Sequence, residues 1–106
     1  VRTQAVRLAL FAAIVAGARE ESRQRFPGCA FFVLLWDEDI GASERVVAAL
    51  ADRDIAVTRM EDVLPGYAAD PARYRIGPND KHPNPLAQDL IAAHLVKNLL
   101  PPAVRR

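Results

Sequence analysis

The sequence predicts an α/β fold, part of a three-layer α/β/α domain with a parallel sheet between helices, on three observations. Ala30 to Trp36 reads AFFVLLW without a polar residue, the pattern of a strand buried on both faces of a parallel sheet. A helical stretch and a second strand, Ile55 to Met60, follow it, giving strand, helix and strand over about thirty residues, a βαβ unit with a right-handed crossover. Helix-periodic segments flank this unit on both sides.

Taken in order, Thr3 to Arg25 combines strong helix formers with apolar positions Leu8, Phe11, Val15 and Ala18 at helical spacing, and Pro27-Gly28 ends it. Its beginning imitates a targeting signal, with Arg2 and Arg7 before the run Leu8 to Ala16 and small residues at Ala16-Gly17-Ala18. The pattern continues unbroken into Arg19 to Arg25, which extends a helix, and the apolar run is too short to span a bilayer. After the apolar strand, Asp37-Glu38-Asp39 forms a solvated acidic turn, and Ser43 is the expected N-cap of a helix through about Asp52 with Val46, Val47 and Leu50 as its stripe. Glu61 to Lys81 reads as a long irregular connection punctuated by Pro65-Gly66, Asp70-Pro71 and Gly77-Pro78. A last helix starts at Pro85, capped by Asn84, and runs to about Leu100, where Pro101-Pro102 stops it.

Composition narrows the function classes. With 106 residues, 51% hydrophobic and 25% charged, the chain is an ordinary globular sequence with material for one modest core. The net charge of +1 and the scattering of Lys and Arg among acids leave no nucleic-acid stripe, and Arg105-Arg106 is only a charged tail. Cys29 is the single cysteine, so neither an internal disulfide nor a Cys-rich metal site can form, and its place before an apolar run suits a small packed side chain. No cofactor or metal is expected. Two strands, one wholly apolar, leave open faces and edges, so residues 1–106 are expected to be a single partial domain that either self-associates or belongs with upstream strands.

The segment richest in chemistry is Asn79 to Ala92, NDKHPNPLAQDLIA, in which Asp80 and His82 stand two apart just before a helix. Pro83 and Pro85 restrict the backbone around His82. On the residues alone these are also ordinary turn and helix-start signals. Asp80-Lys81-His82-Pro83-Asn84-Pro85-Leu86-Ala87, with Leu90-Ile91-Ala92 and Leu99-Leu100 beyond it, resembles the last block of the SGNH (GDSL-type) hydrolases. The order of helix, Pro-Gly, apolar strand ending in Trp36-Asp37, helix, strand and loop is similar to that family from about Ala5 to Leu100.

The resemblance implies a flavodoxin-like sheet and the C-terminal half of an esterase- or lipase-like enzyme acting on a small-molecule ester. In it Asp80 is the orienting acid and His82 the general base of a Ser-His-Asp triad. The family more often places acid and histidine three apart, a position held here by Asn79. Ser22 and Ser43 are the only serines, and neither follows a Gly-Asp pair at a strand end, so the chain itself lacks the nucleophile. Gly77-Pro78-Asn79-Asp80 matches the family's Gly-x-Asn-Asp oxyanion block in letters, yet overlaps the histidine block and reads as turn residues. His94 has no sequence partner and is expected to be an ordinary helix histidine. A non-catalytic binding module or pseudoenzyme is the alternative.

Overall fold

The computed structural model describes residues 2–100, and these form two compact units, the first ending at Val57 and the second starting at Thr58. The expected Pro101-Pro102 stop and the Arg105-Arg106 tail lie outside the described residues. Architecture is mixed α/β, with two separate two-stranded sheets. Among the described residues no helix is long and apolar enough to cross a membrane.

The first unit contains α1 (Arg2–Arg25), β1 (Val33–Leu35) and α2 (Ile40–Ala51), and its boundary falls inside β2 (Val57–Arg59), which pairs with β1. Ala12, Leu50 and Ile55 are buried at its centre, with Val15, Ala16, Val33, Val46, Ala49 and Val57 packed around them. Because Ala5 to Ala18 of α1 carries no polar side chain but Arg7, turning Ala12 inward leaves Val6, Leu10 and Ile14, successive turns of the opposite face, 60–62% exposed.

The end of α2 shows how local chemistry fixes this unit. Asp54 adopts φ 58°, a left-handed conformation that a short polar side chain tolerates. It allows the N–H groups of Asp54 and Ile55 to turn back onto Ala51 and Leu50 at 2.9 and 3.0 Å. The Arg19 guanidinium then donates to the carbonyls of Asp54 and Arg53 at 3.0 and 3.1 Å, tying α1 to the turn.

Two expectations for this unit are corrected. Strand β1 spans only three residues, and Phe32 and Leu34 are exposed (45% and 36%), so the apolar run is not buried on both faces. Pleating sends alternate side chains to opposite sides, and Val33 reaches the core while its neighbours do not. The N-cap of α2 is Asp39, whose extended backbone lets its carboxylate accept from the Ala42 N–H at 3.1 Å. Ser43 is instead buried within the helix, its N–H bonded to the Asp39 carbonyl.

The second unit contains α3 (Met60–Val63), a 3₁₀ turn (Pro71–Tyr74), β3 (Arg75–Gly77), β4 (Asp80–Pro83), α4 (Pro85–His94) and a π-helical turn (Leu95–Leu99). The expected irregular connection 61–81 is therefore largely ordered. Its buried residues are Met60, Val63, Leu64, Tyr67, Tyr74 and Ala87. The two tyrosine rings stand 6.0 Å apart at 37°, and the Tyr74 hydroxyl donates to the Pro65 carbonyl, closing the loop that Pro65 and Gly66 (φ 71°) begin. No periodicity announces these pieces: each is three or four residues long and held by tyrosines rather than by an apolar stripe. Helix α4 starts at Pro85 with Asn84 as its cap, as expected, but its apolar circumference is not covered, and Leu86 is 41% exposed.

Candidate active site

The hairpin of β3 and β4 carries Asp80 and His82. Pro78 and Asn79 form its two-residue turn, Pro supplying the fixed φ that a turn's second position favours. Gly77-Pro78-Asn79-Asp80 is thus the hairpin turn and its flanks. The strands pair antiparallel with Arg75 opposite Pro83 and Gly77 opposite Asp80, so two steps on β3 match three on β4. The additional residue on β4 is a bulge, a device that redirects side chains at a strand. Its effect is visible in exposure: Lys81 and His82, consecutive residues, are both exposed, whereas Asp80 and Pro83 at either end are half-buried. His82, expected in a loop, therefore lies on a strand, still directly before the capped start of α4.

Within that bulge the Asp80 carboxylate folds back over its own chain. Its Oδ1 accepts from the His82 backbone N–H at 3.1 Å, an Asx turn, and meets His82 Nδ1 at 2.6 Å. The hydrogen bond from the His82 side chain, reinforced by the one from its backbone, holds the Asp80 carboxyl below the usual aspartate range. Asp80 is therefore an anion at neutral pH. An anionic acceptor on Nδ1 places the proton of the neutral ring there and leaves Nε2 unprotonated. The His82 side chain is 79% exposed, so its ring is open to solvent. An acid on Nδ1 with a base at Nε2 is the arrangement that the acid and histidine of a Ser-His-Asp triad require.

Neither serine of the chain supplies the other half in its present setting. Ser22 Oγ donates to the Ala18 carbonyl one helical turn back at 2.8 Å, and Ser43 is buried in α2. Cys29 is exposed, contrary to the packed role expected, with Sγ 3.4 Å from the Ser22 carbonyl. Among the described residues no group of three or more His, Cys, Asp or Glu could hold a metal ion. The acidic turn is also not wholly solvated, since Asp37 is 1% exposed while Asp39 is occupied as a helix cap. His94 is half-buried on α4, its Nδ1 3.2 Å from Asn98 Nδ2.

One participant escaped the sequence. Asn84 was legible as a cap, and its Oδ1 accepts from the Ala87 N–H at 2.9 Å. Its Nδ2 also donates to the carbonyls of Arg73 and Arg75 at 2.8 and 3.3 Å. Partners nine and eleven residues away leave no local signal. Comparison with protein-family models, with curated proteins and with solved structures finds no match to this chain.

Proposed function

We propose that this chain is the C-terminal segment of an SGNH-type ester hydrolase and supplies the acid and base of its catalytic triad. The observation that supports this most is the 2.6 Å contact between Asp80 Oδ1 and His82 Nδ1 on an exposed strand directly before a capped helix. In such an enzyme Nε2 of His82 takes the proton of a serine hydroxyl as its oxygen attacks the ester carbonyl, and Asp80 stabilises the imidazolium. The proton then passes to the leaving alcohol as the carbon–oxygen bond breaks, and water repeats the sequence to release the acid. The serine and the oxyanion donors come from residues outside this segment. In the complete fold β1 and β2 would belong to a parallel, flavodoxin-like sheet in a three-layer α/β/α domain. The exposed Phe32 and Leu34 and the exposed face of α1 are surfaces that such layers would cover.

The second reading, a non-catalytic binding module or pseudoenzyme, is favoured by the Asx turn itself. An aspartate that accepts from the second amide after it brings itself close to that residue's side chain without any catalytic purpose. Two measurements separate the readings. A fluorophosphonate probe is expected to leave the 106-residue chain unlabelled at Ser22 and Ser43, and to label a serine in the product of the whole reading frame. In that product His82→Ala should lower kcat by about three orders of magnitude with KM little changed, whereas His94→Ala should leave turnover intact. Near-normal turnover by folded His82→Ala protein would remove the hydrolase assignment.

A further inference from the structure

We propose that Asn84 is the positioning residue of the Asp80–His82 pair, a role beyond capping α4. The name of the reaction it serves rests on the hydrolase reading above; the geometry does not. Asn84 closes two elements at once. Its Oδ1 takes the Ala87 N–H at the start of α4. Its backbone N–H reaches the Tyr74 carbonyl at 2.9 Å, and its two Nδ2 bonds reach the carbonyls on either side, Arg73 and Arg75. Three successive carbonyls where the 3₁₀ turn passes into β3 are thus gathered by one residue. Carbonyls at a helical end have no partner within their own turn, which is why an amide there is effective.

The consequence for His82 follows from chain length. Only Pro83 separates the clamp from the histidine, and its ring fixes φ, so little slack lies between them. Pro83 is itself paired with Arg75, one of the residues whose carbonyl Asn84 holds, and the Gln88 side chain donates to the Pro83 carbonyl at 3.2 Å. The bulge that presents His82 and folds Asp80 back onto it therefore has a fixed end, while its other end is a two-residue turn. Hairpins this short are marginal by themselves, and strands pin their register by packing that an exposed strand lacks. Removing the Nδ2 bonds while keeping the cap should free the bulge to relax and part Asp80 from His82.

Asn84→Ser tests this, because serine keeps an oxygen for the Ala87 N–H, adds no charge and is too short to reach both carbonyls. The readout is the ¹⁵N spectrum of the His82 ring in the 106-residue chain, alongside helix content. The unaltered chain is expected to show the Nδ1–H tautomer when the ring is neutral and an Asp80 carboxyl titrating below the usual range. Asn84→Ser should retain the helix signal yet move the ring toward the Nε2–H tautomer that a solvated imidazole prefers, with the Asp80 midpoint rising. Asn84→Asp, which also keeps the cap and loses the donors, should shift the tautomer likewise. Tautomer and titration unchanged in whichever variant folds would reduce Asn84 to a cap and overturn the proposal, as would loss of folding in both. In an active hydrolase Asn84→Ser should lower kcat about a hundredfold with KM unchanged, as small misplacements of a catalytic group do. No ester turnover by the product of the whole reading frame, combined with the predicted spectral change, would sink the hydrolase reading and leave this one standing.

Discussion

Asp80 and His82 form a pair two residues apart that meets through a single carboxylate oxygen. The carboxylate accepts from both the ring and the amide of residue 82, and each bond favours the ionised form. A carboxyl whose folded value lies below its unfolded one stabilises the fold at pH above the ordinary aspartate value. That contribution is lost as pH falls through the lowered folded value. Carboxyl ¹³C titration should accordingly place the Asp80 midpoint below that of an unperturbed aspartate. His82→Ala removes the ring hydrogen bond, the larger cause, and should raise the midpoint while the amide bond keeps it from returning fully. An unchanged midpoint would mean that the ring contact is not formed in solution.

Among the elements, α2 gives the clearest test of how local chemistry chose its boundary. Asp39 is extended and accepts from Ala42, so the helix opens there and Ser43 is drawn inside. Asp39→Ala should cost about 0.5 to 2 kcal/mol in a urea unfolding curve, the usual range for losing an N-cap oxygen. If Asp39→Ala were neutral, the cap assignment would fail. The β3–β4 hairpin makes a related point about strands. Its bulge sets two neighbouring residues outward, and an alternating pattern in the sequence could not have announced that.

For the whole molecule, the informative contrast lies within the first unit. Leu50 is fully buried at the core while Leu10 is 60% exposed on α1. Leu50→Ala should cost about 2 to 5 kcal/mol, the lost transfer energy plus the cavity left behind. Leu10→Ala should stay within about 0.5 kcal/mol, since exposed substitutions seldom do more. Both values come from equilibrium unfolding of the 106-residue chain. A loss at Leu10 comparable to that at Leu50 would show that the outward face of α1 is covered in solution.

What the sequence determined by itself was set by contacts a few residues long. The extent of α1, the start of α4 at Asn84-Pro85 and the turn character of Gly77 to Asp80 all follow from spacing, capping and proline geometry. Mixed α/β character was legible for the same reason. Tertiary structure decided the rest, because its partners are far apart in the chain. Arg19 finds the carbonyls of Arg53 and Asp54, Tyr74 closes the Pro65 loop, and Asn84 gathers Arg73 and Arg75. Which side of AFFVLLW meets a core was likewise invisible, since an all-apolar run has no polar face to mark the outside, and only packing around Val33 chose it.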